Sequence, residues 1–523
     1  MLVRALGLFL VLPAILAAQA APIDPLGLPG TRILGGGGKL PPSVYEHFLQ
    51  LAGGKDKARI VLIPTASGTA DDAAQRDKTL ARWQTDHPGY TFEVLHTRDR
   101  AVADSETFTA PLRAATAVWL GGGVQKNLAD AYLGTRVERE LQALLARGGV
   151  VGGTSAGTAI QTRTMIESGK EDPIVATGFD FVPFAVSDQH FLKRQRLPRL
   201  LQVLGEHPGH FGIGVDEGTA VAITGRTLAV LGDSKALLVL AKTATRDERI
   251  VELAAGQTAD LVTWQRAARD RKSPPTVLPA DTRQQGTAIL VGGGRIPEAV
   301  ARRFAELAGG KAAKVVLVTG AMPKEGRADD PFGRMLQKLG VADVRMLDCA
   351  HPGEVTAAAL AKLADATGIW FGGGRQWRLC DAFDGTPAIA AMHAVLARGG
   401  VVGGTSAGAT IQGELLVRGN PLGNTEMWCE GYDRGFAFVP GIAVDQHFVA
   451  RNREADLTGL IARFPQFLGL GIDEGTAAVV RDHQLEVLGD GKLAIVDARS
   501  GAPVTTWLQP GEHWHLRLGR KPD

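Results

Sequence analysis

Cysteine is scarce in this chain: three occur among 523 residues, Cys349, Cys380 and Cys429. An odd number cannot form a fully paired framework, and none stands in a Cys-x-x-Cys or Cys/His spacing. Disulfide scaffolding, a metal site and a thiol nucleophile are therefore disfavoured, and each cysteine is read as a small buried apolar residue. A surplus of either charge is also missing. Fifty-seven Lys+Arg against 55 Asp+Glu leave a net charge of +2, which excludes a strongly basic nucleic-acid surface; 21% charged and 45% hydrophobic residues make an ordinary globular composition. Beyond the N-terminus there is no long apolar run. There, Arg4 precedes the apolar stretch 5–18, broken by Pro13, and Ala18-Gln19-Ala20 suits small-x-small cleavage. Residues 1–21 are read as a secretory signal peptide, which implies a secreted or periplasmic protein with no membrane span in its mature form. What the chain has in excess is glycine, 66 residues, nearly double the usual ~7%.

The glycines fall in blocks, and the blocks occur twice. AVWLGGGVQKNL at 117–128 returns as GIWFGGGRQWRL at 368–379, and RGGVVGGTSAGTAIQ at 147–161 as RGGVVGGTSAGATIQ at 398–412. SDQHF at 187–191 returns as VDQHF at 444–448, and GIGVDEGTA at 212–220 as GLGIDEGTA at 469–477. Four matched blocks in the same order mean a tandem duplication of whole domains, not a solenoid of short repeats. Copy one is placed at 31–245 and copy two at 286–500, with a linker region at 246–285 whose 268–286 part is polar and proline-rich. Within each copy, short β-branched runs (RIVLIPT, TAVWLGG, GVVGGTS) alternate with helical periodicity (VYEHFLQLAG, VERELQALLARG). The fold class is α/β, a mainly parallel sheet with helices on both faces, and AVAIT, LAVLG and ALLVL after Glu217 predict a short antiparallel extension.

GGTSAG contains Gly-x-Ser-x-Gly after an apolar strand and before a helix-compatible run. That context turns a motif more often found in structural turns into a candidate nucleophile elbow at Ser155 and Ser406. A serine nucleophile needs a base and the base an orienting acid. Comparing the copies isolates one histidine in each, His190 and His447. His47, His87, His96, His207, His210, His351, His393 and His483 have no matching partner. The acid lies 27 residues further on, at Glu217 and Glu474, beside Asp216 and Asp473; strand alternation points such neighbours to opposite faces but does not choose between them. The order serine, histidine, acid differs from the serine, acid, histidine of α/β-hydrolases. Oxyanion donors are expected at the N–H groups of Ala156 and Ala407, opening the helix, and of Gly123 and Gly374 in the GGG loop.

Taken together, GGTSAG, DQHF with basic residues after it, GIGVDEGTA, the GGGxQ loop and the opening LGGG…FLQLAGG…IVLIPTAS resemble the cyanophycinase family of serine peptidases over nearly all of both copies. The resemblance implies a flavodoxin-like, class I glutamine amidotransferase-like domain and a Ser-His-Glu triad, hence Glu217 and Glu474. It also implies an acyl-enzyme mechanism without metal or cofactor, and cleavage of β-aspartyl-arginine isopeptide bonds of cyanophycin to β-Asp-Arg. Gln125, Asp188, Gln189, Gln376, Asp445 and Gln446 match positions that shape the family's pocket, and Arg194, Arg199 and Arg451 are candidates for the substrate carboxylate. Copy two departs from copy one in three places: Asp456 stands where copy one has Arg199, VTGAMP replaces IPTAS, and six extra residues lie between serine and histidine near GNTEMWCEG. Two alternatives therefore stay open, hydrolysis of other isoaspartyl or aspartyl peptides, and one catalytic copy beside one polymer-binding copy. The copies are expected to pack as an internal pseudo-dimer, with room for a further homo-oligomer.

Overall fold

The computed structural model describes residues 23–272, 285–324 and 330–522; the expected signal peptide at 1–21 lies outside them. In copy one the apolar runs form β1 (Leu28–Gly35), β2 (Arg59–Ile63), β3 (Thr91–Val94), β4 (Ala117–Leu120) and β5 (Val150–Thr154). They lie parallel in the order β3-β2-β4-β5-β1. Strands β2 to β5 thus follow the 2-1-3-4 part of a flavodoxin-like order, with β1 in the fifth place. Alternation along each strand fills two layers. Ile60, Ala117 and Trp119 face a core with Phe48 and Phe92, while Val61, Val118 and Leu120 face another with Tyr132, Leu141 and Leu144. Helices on both faces are the consequence, as a strand buried on both sides requires. Asp72, Asp99 and Ser105 cap three of the helices by accepting backbone N–H bonds.

The antiparallel extension is divided between two sheets. Copy one continues with the hairpin β6 (Thr164–Ser168) and β7 (Ile174–Thr177), then β8 (Ala185–Gln189), β9 (Phe211–Val215), β10 (Thr219–Gly225), β11 (Thr227–Gly232), β12 (Lys235–Leu240), β13 (Arg249–Ala254) and β14 (Thr258–Asp260). Strands β10, β11 and β14 extend the main sheet beyond β1, whereas β13-β12-β9-β8 form a second, four-stranded sheet. Copy two repeats the plan with β15 (Thr287–Val291), β16 (Lys314–Val318), β17 (Asp343–Leu347), β18 (Gly368–Phe371) and β19 (Val401–Thr405). After these come β20 (Gly413–Leu415), β21 (Val439–Gln446), β22 (Leu468–Ile472), β23 (Thr476–Arg481), β24 (Gln484–Gly489), β25 (Leu493–Asp497), β26 (Val504–Leu508) and β27 (His513–His515). Its sheets run β17-β16-β18-β19-β15-β23-β24-β27 and β20-β21-β22-β25-β26.

The bounds read from composition need correction. Residues 249–272 are not linker: β13 and β14 belong to the sheets of copy one, and the helix Leu261–Lys272 packs Leu261, Trp264 and Ala267 into its core. Copy two likewise extends past 500, through β26 and β27. Helix Leu261–Lys272 also meets copy two. Its Arg266 donates to Gly431 O (2.8 Å) and Asp384 (2.7 Å), and Arg271 to Glu430 (2.7 Å); Arg226, in the β10–β11 turn, donates to Asp381 and to the Tyr432 hydroxyl. Arg246 reaches Asp433 (2.7 Å) and Glu430 (3.2 Å). In these contacts the arginines come from copy one and the acids from copy two. The junction they make is head-to-tail, unlike the two-fold contact that a pseudo-dimer of equivalent faces would repeat.

Candidate active site

Ser155 follows β5 directly and opens the helix Ala156–Ala159 with φ 52° and ψ −111°; Ser406 follows β19 with φ 54° and ψ −115°. A non-glycine residue rarely holds such backbone angles, and here the strained turn lifts the hydroxyl off the sheet edge. The second sheet supplies what the serine meets. His190 directly follows β8 and Glu217 lies two residues past β9, and because β8 and β9 are parallel neighbours their ends deliver both side chains to one place. Ser155 Oγ lies 2.9 Å from His190 Nε2, and His190 Nδ1 lies 2.7 Å from Glu217 Oε1. Copy two repeats this at 3.0 Å for Ser406–His447 and 2.5 Å for His447–Glu474. The neighbouring aspartates point elsewhere: Asp216 accepts from Lys193 N and Ser234 Oγ, and Asp473 from Val449 N and Ala450 N, each fixing the loop after the histidine.

Two glycine turns close the site. Gly37 has φ +94°, and a Cβ there would come within 2.3 Å of His190 Cε1; Gly293 stands in the same relation to His447. The histidine ring therefore rests on bare backbone, and the backbone N–H of His190 donates to Gly36 O. Gly123, with φ +142°, would drive a Cβ to 2.2 Å from Ala66 O, so the GGG loop is pressed onto the loop following β2. Its neighbour Gly122 leaves ordinary contact distance to Ser155 Cβ. This is the switch point where the sheet order reverses between β2 and β4, the usual place for a ligand in such a sheet. The N–H of Ala156, at the first position of a helix, has no intrahelical acceptor, and Ala407 holds the same position after Ser406.

Burial holds His190 below the usual imidazole range; the Glu217 carboxylate pulls it back up and Arg194 adds to the lowering. His447 is lowered for the same reasons, with Glu474 and Arg451 in those roles. Arg194 and Arg451 are exposed, which leaves their guanidinium groups open to solvent near the histidines. The other residues assigned to substrate are engaged within the protein instead. Asp188 is fully buried and held by Arg199 Nε (2.7 Å) and Arg196 Nη1 (3.2 Å), so the Asp188–Arg199 pair positions β8. Gln125 donates to Ile166 O and Glu167 O, and Gln376 to Val417 O and Arg418 O, tying the GGG turns to the segments that follow the serine helices. Gln189 is buried, and Gln446 accepts from Arg453 while Asp445 accepts from Arg453 and Arg418.

Asp456 now has an explanation. It occupies the helical position of Arg199, and the arginine has moved: Arg418, which stands where copy one has Glu167, bridges Asp445 (3.1 Å) and Asp456 (2.7 Å). Spacing cannot show this, because the replacement arginine comes from a different element. The loop after β2 also differs. In copy one Arg98 donates to Thr65 O, Ser67 O and Asp71; Asp71 also accepts from His96 Nε2 (3.0 Å), whose Nδ1 lies 2.8 Å from Thr65 Oγ1, itself 2.7 Å from the Tyr132 hydroxyl. Phe383 stands in copy two where Tyr132 stands in copy one. Among the described residues no group of three or more His, Cys, Asp or Glu converges as a metal site would need. The cysteines are buried, and burial pushes the Cys429 thiol up to about 12.

A layered α/β fold that presents a serine on a strained strand-to-helix turn, bonded to a histidine whose other nitrogen meets a carboxylate, is the arrangement of a serine-type peptidase. Residues 33–231 and 288–488 both match peptidase family S51, and the chain belongs to that family, carrying its domain twice. The chain is 33% identical over 220 residues to a cyanophycinase of Trichormus variabilis, covering 40% of this chain and 74% of that protein. It is 36% identical over 206 residues to a cyanophycinase of Synechococcus elongatus, covering 38% and 62%. A crystal structure of a peptidase from an acI-B1 Actinobacterium aligns with 24% identity and a TM-score of 0.38, covering 45% of this chain and 98% of that one.

Proposed function

We propose that this peptidase is an exported enzyme that degrades cyanophycin, hydrolysing β-aspartyl-arginine isopeptide bonds to β-Asp-Arg at two Ser-His-Glu sites. The observation that carries the chemistry is the recurrence, in both copies, of one serine–histidine–glutamate geometry. The substrate reading rests on the relatives named cyanophycinase, and export on residues 1–21. His190 Nε2 takes the Ser155 proton as Oγ attacks the isopeptide carbonyl, and Glu217 stabilises the resulting imidazolium. The N–H groups of Ala156 and Gly123 hold the tetrahedral oxyanion. Collapse breaks the C–N bond, the imidazolium protonates the leaving amine, and water activated by the same histidine hydrolyses the acyl-enzyme. Arg194 suits a substrate carboxylate, since it is exposed and its charge is felt at His190. Ser406, His447, Glu474 and Arg451 repeat these roles.

Purified protein incubated with insoluble cyanophycin should release soluble β-Asp-Arg, and α-aspartyl peptides should be left intact. Hydrolysis of free isoaspartyl dipeptides with no release from polymer would instead identify a dipeptidase.

The pH profile follows from the histidines. The base must be neutral to accept the serine proton, and its folded pKa is lowered. Activity should therefore persist into mild acid and fall only as pH drops below the ordinary imidazole value of about 6.5. The acid limb of kcat/KM, measured with one serine at a time replaced by alanine, should have its midpoint under that value in both copies; a midpoint above it would mean that the glutamate outweighs burial.

A further inference from the structure

Residues 418–433 of copy two, the stretch that carries its extra residues, do two jobs at once. The first half braces the copy-two site. Arg418 donates to Asp445, two residues before His447 on β21, and Arg375, next to the oxyanion glycine Gly374, donates to Asn420 O (2.6 Å) and Gly423 O (2.7 Å). Val124, exposed, occupies the place of Arg375 in copy one. The second half docks on the other copy. Glu430, almost fully buried, accepts from Arg271 and lies 3.2 Å from Arg246, and Asp433 accepts from Arg246, while Arg266 donates to Gly431 O. The halves are stitched together by Leu416 N donating to Asp433 O and Arg418 N to Met427 O. Copy one needs no such support, because its equivalent arginine, Arg199, comes from its own helix Leu197–Glu206.

We infer that copy one is a structural activator of copy two: arginines of copy one hold residues 429–433, and through them the Arg418–Asp445 brace that positions His447. The inference rests on the Ser-His-Glu reading of the site. Arg246 and Arg271 are positioning residues in this scheme, since they touch neither substrate nor the reacting atoms. Losing them loosens a segment that reaches both the strand carrying the histidine and the turn carrying an oxyanion donor, and small displacements of such groups cost large factors in rate.

The test uses the full chain in two backgrounds, Ser155→Ala, which leaves only copy two, and Ser406→Ala, which leaves only copy one. Into each, Arg246→Ala with Arg271→Ala is introduced, and the remaining serine is titrated with a fluorophosphonate probe, so that the reading does not depend on cyanophycin being the substrate. Labelling of Ser406 should slow by about tenfold or more, in the maximal inactivation rate rather than in probe binding, while labelling of Ser155 stays within about twofold. The conservative pair Arg246→Lys and Arg271→Lys, which keeps the charges facing Glu430 and Asp433, should recover most of the loss. Unchanged labelling of Ser406 overturns the inference, and so does an equal fall at both serines. Failure of either serine to label in the parent chain, by contrast, would strike the serine reading itself.

Discussion

Replacing both nucleophiles, Ser155→Ala with Ser406→Ala, should lower hydrolysis by about 10⁴-fold or more, toward what binding and oxyanion contacts alone supply. The expectation rests on geometry: each serine is the group within hydrogen-bonding distance of a histidine whose second nitrogen is already committed to a carboxylate. Each single substitution should remove one site and leave the other, so the two single-variant rates should sum to about the parent rate. The measurement is initial dipeptide release from polymer at matched protein concentration. Activity in the double variant close to the parent would remove the serines from the mechanism. A single variant as inactive as the double would show that one copy only binds.

The second large effect concerns the acid. Glu217→Gln, in a chain where Ser406 is alanine, should lower kcat by about 10²- to 10³-fold with little change in KM, and Glu474→Gln should do the same in the opposite background. The amide no longer stabilises the imidazolium and permits the wrong tautomer, which costs about 10⁴-fold where the acid is fully buried. The Glu217 and Glu474 side chains are 32% and 44% exposed, so solvent should offset part of that loss. Steady-state kinetics on each background decides it, and a rate unchanged by the glutamine would transfer the orienting role to a neighbouring residue.

The serines, the histidines and the spacing to the acid were legible in the sequence because duplication acts as an internal comparison, keeping what both copies need. The alternation of apolar runs with helical periodicity also announced a layered α/β domain. The choice of Glu217 over Asp216 was not legible from alternation alone, since it depends on which face of the chain after β9 meets His190. Nor was the second sheet: AVSDQ and FGIGV form β8 and β9, and nothing in either run states which neighbours it pairs with. Arg199 is a candidate for the substrate carboxylate only through the family resemblance; a basic residue after the histidine does not itself show what it meets, and the tertiary position of Asp188 decides. The helix Leu261–Lys272 falls inside the linker region 246–285, because only its last residues share the polar stretch 268–286 and no repeat block covers the rest. It is buried all the same, since its arginines find acids on the other copy.

The one-way junction also bears on the order of synthesis. Domains fold largely in the order they emerge, N-terminal first, so the domain carrying the arginines at 226, 246, 266 and 271 emerges ahead of Asp381, Glu430 and Asp433, on whichever side of the membrane it folds. Copy two then meets a finished surface of opposite charge, and its least self-sufficient segment can settle there rather than explore alternatives. A gene with the two halves exchanged would encode the same residues but present the acidic segment first, without its template. Such a chain should yield less soluble protein than the natural order, although every domain in it is intact.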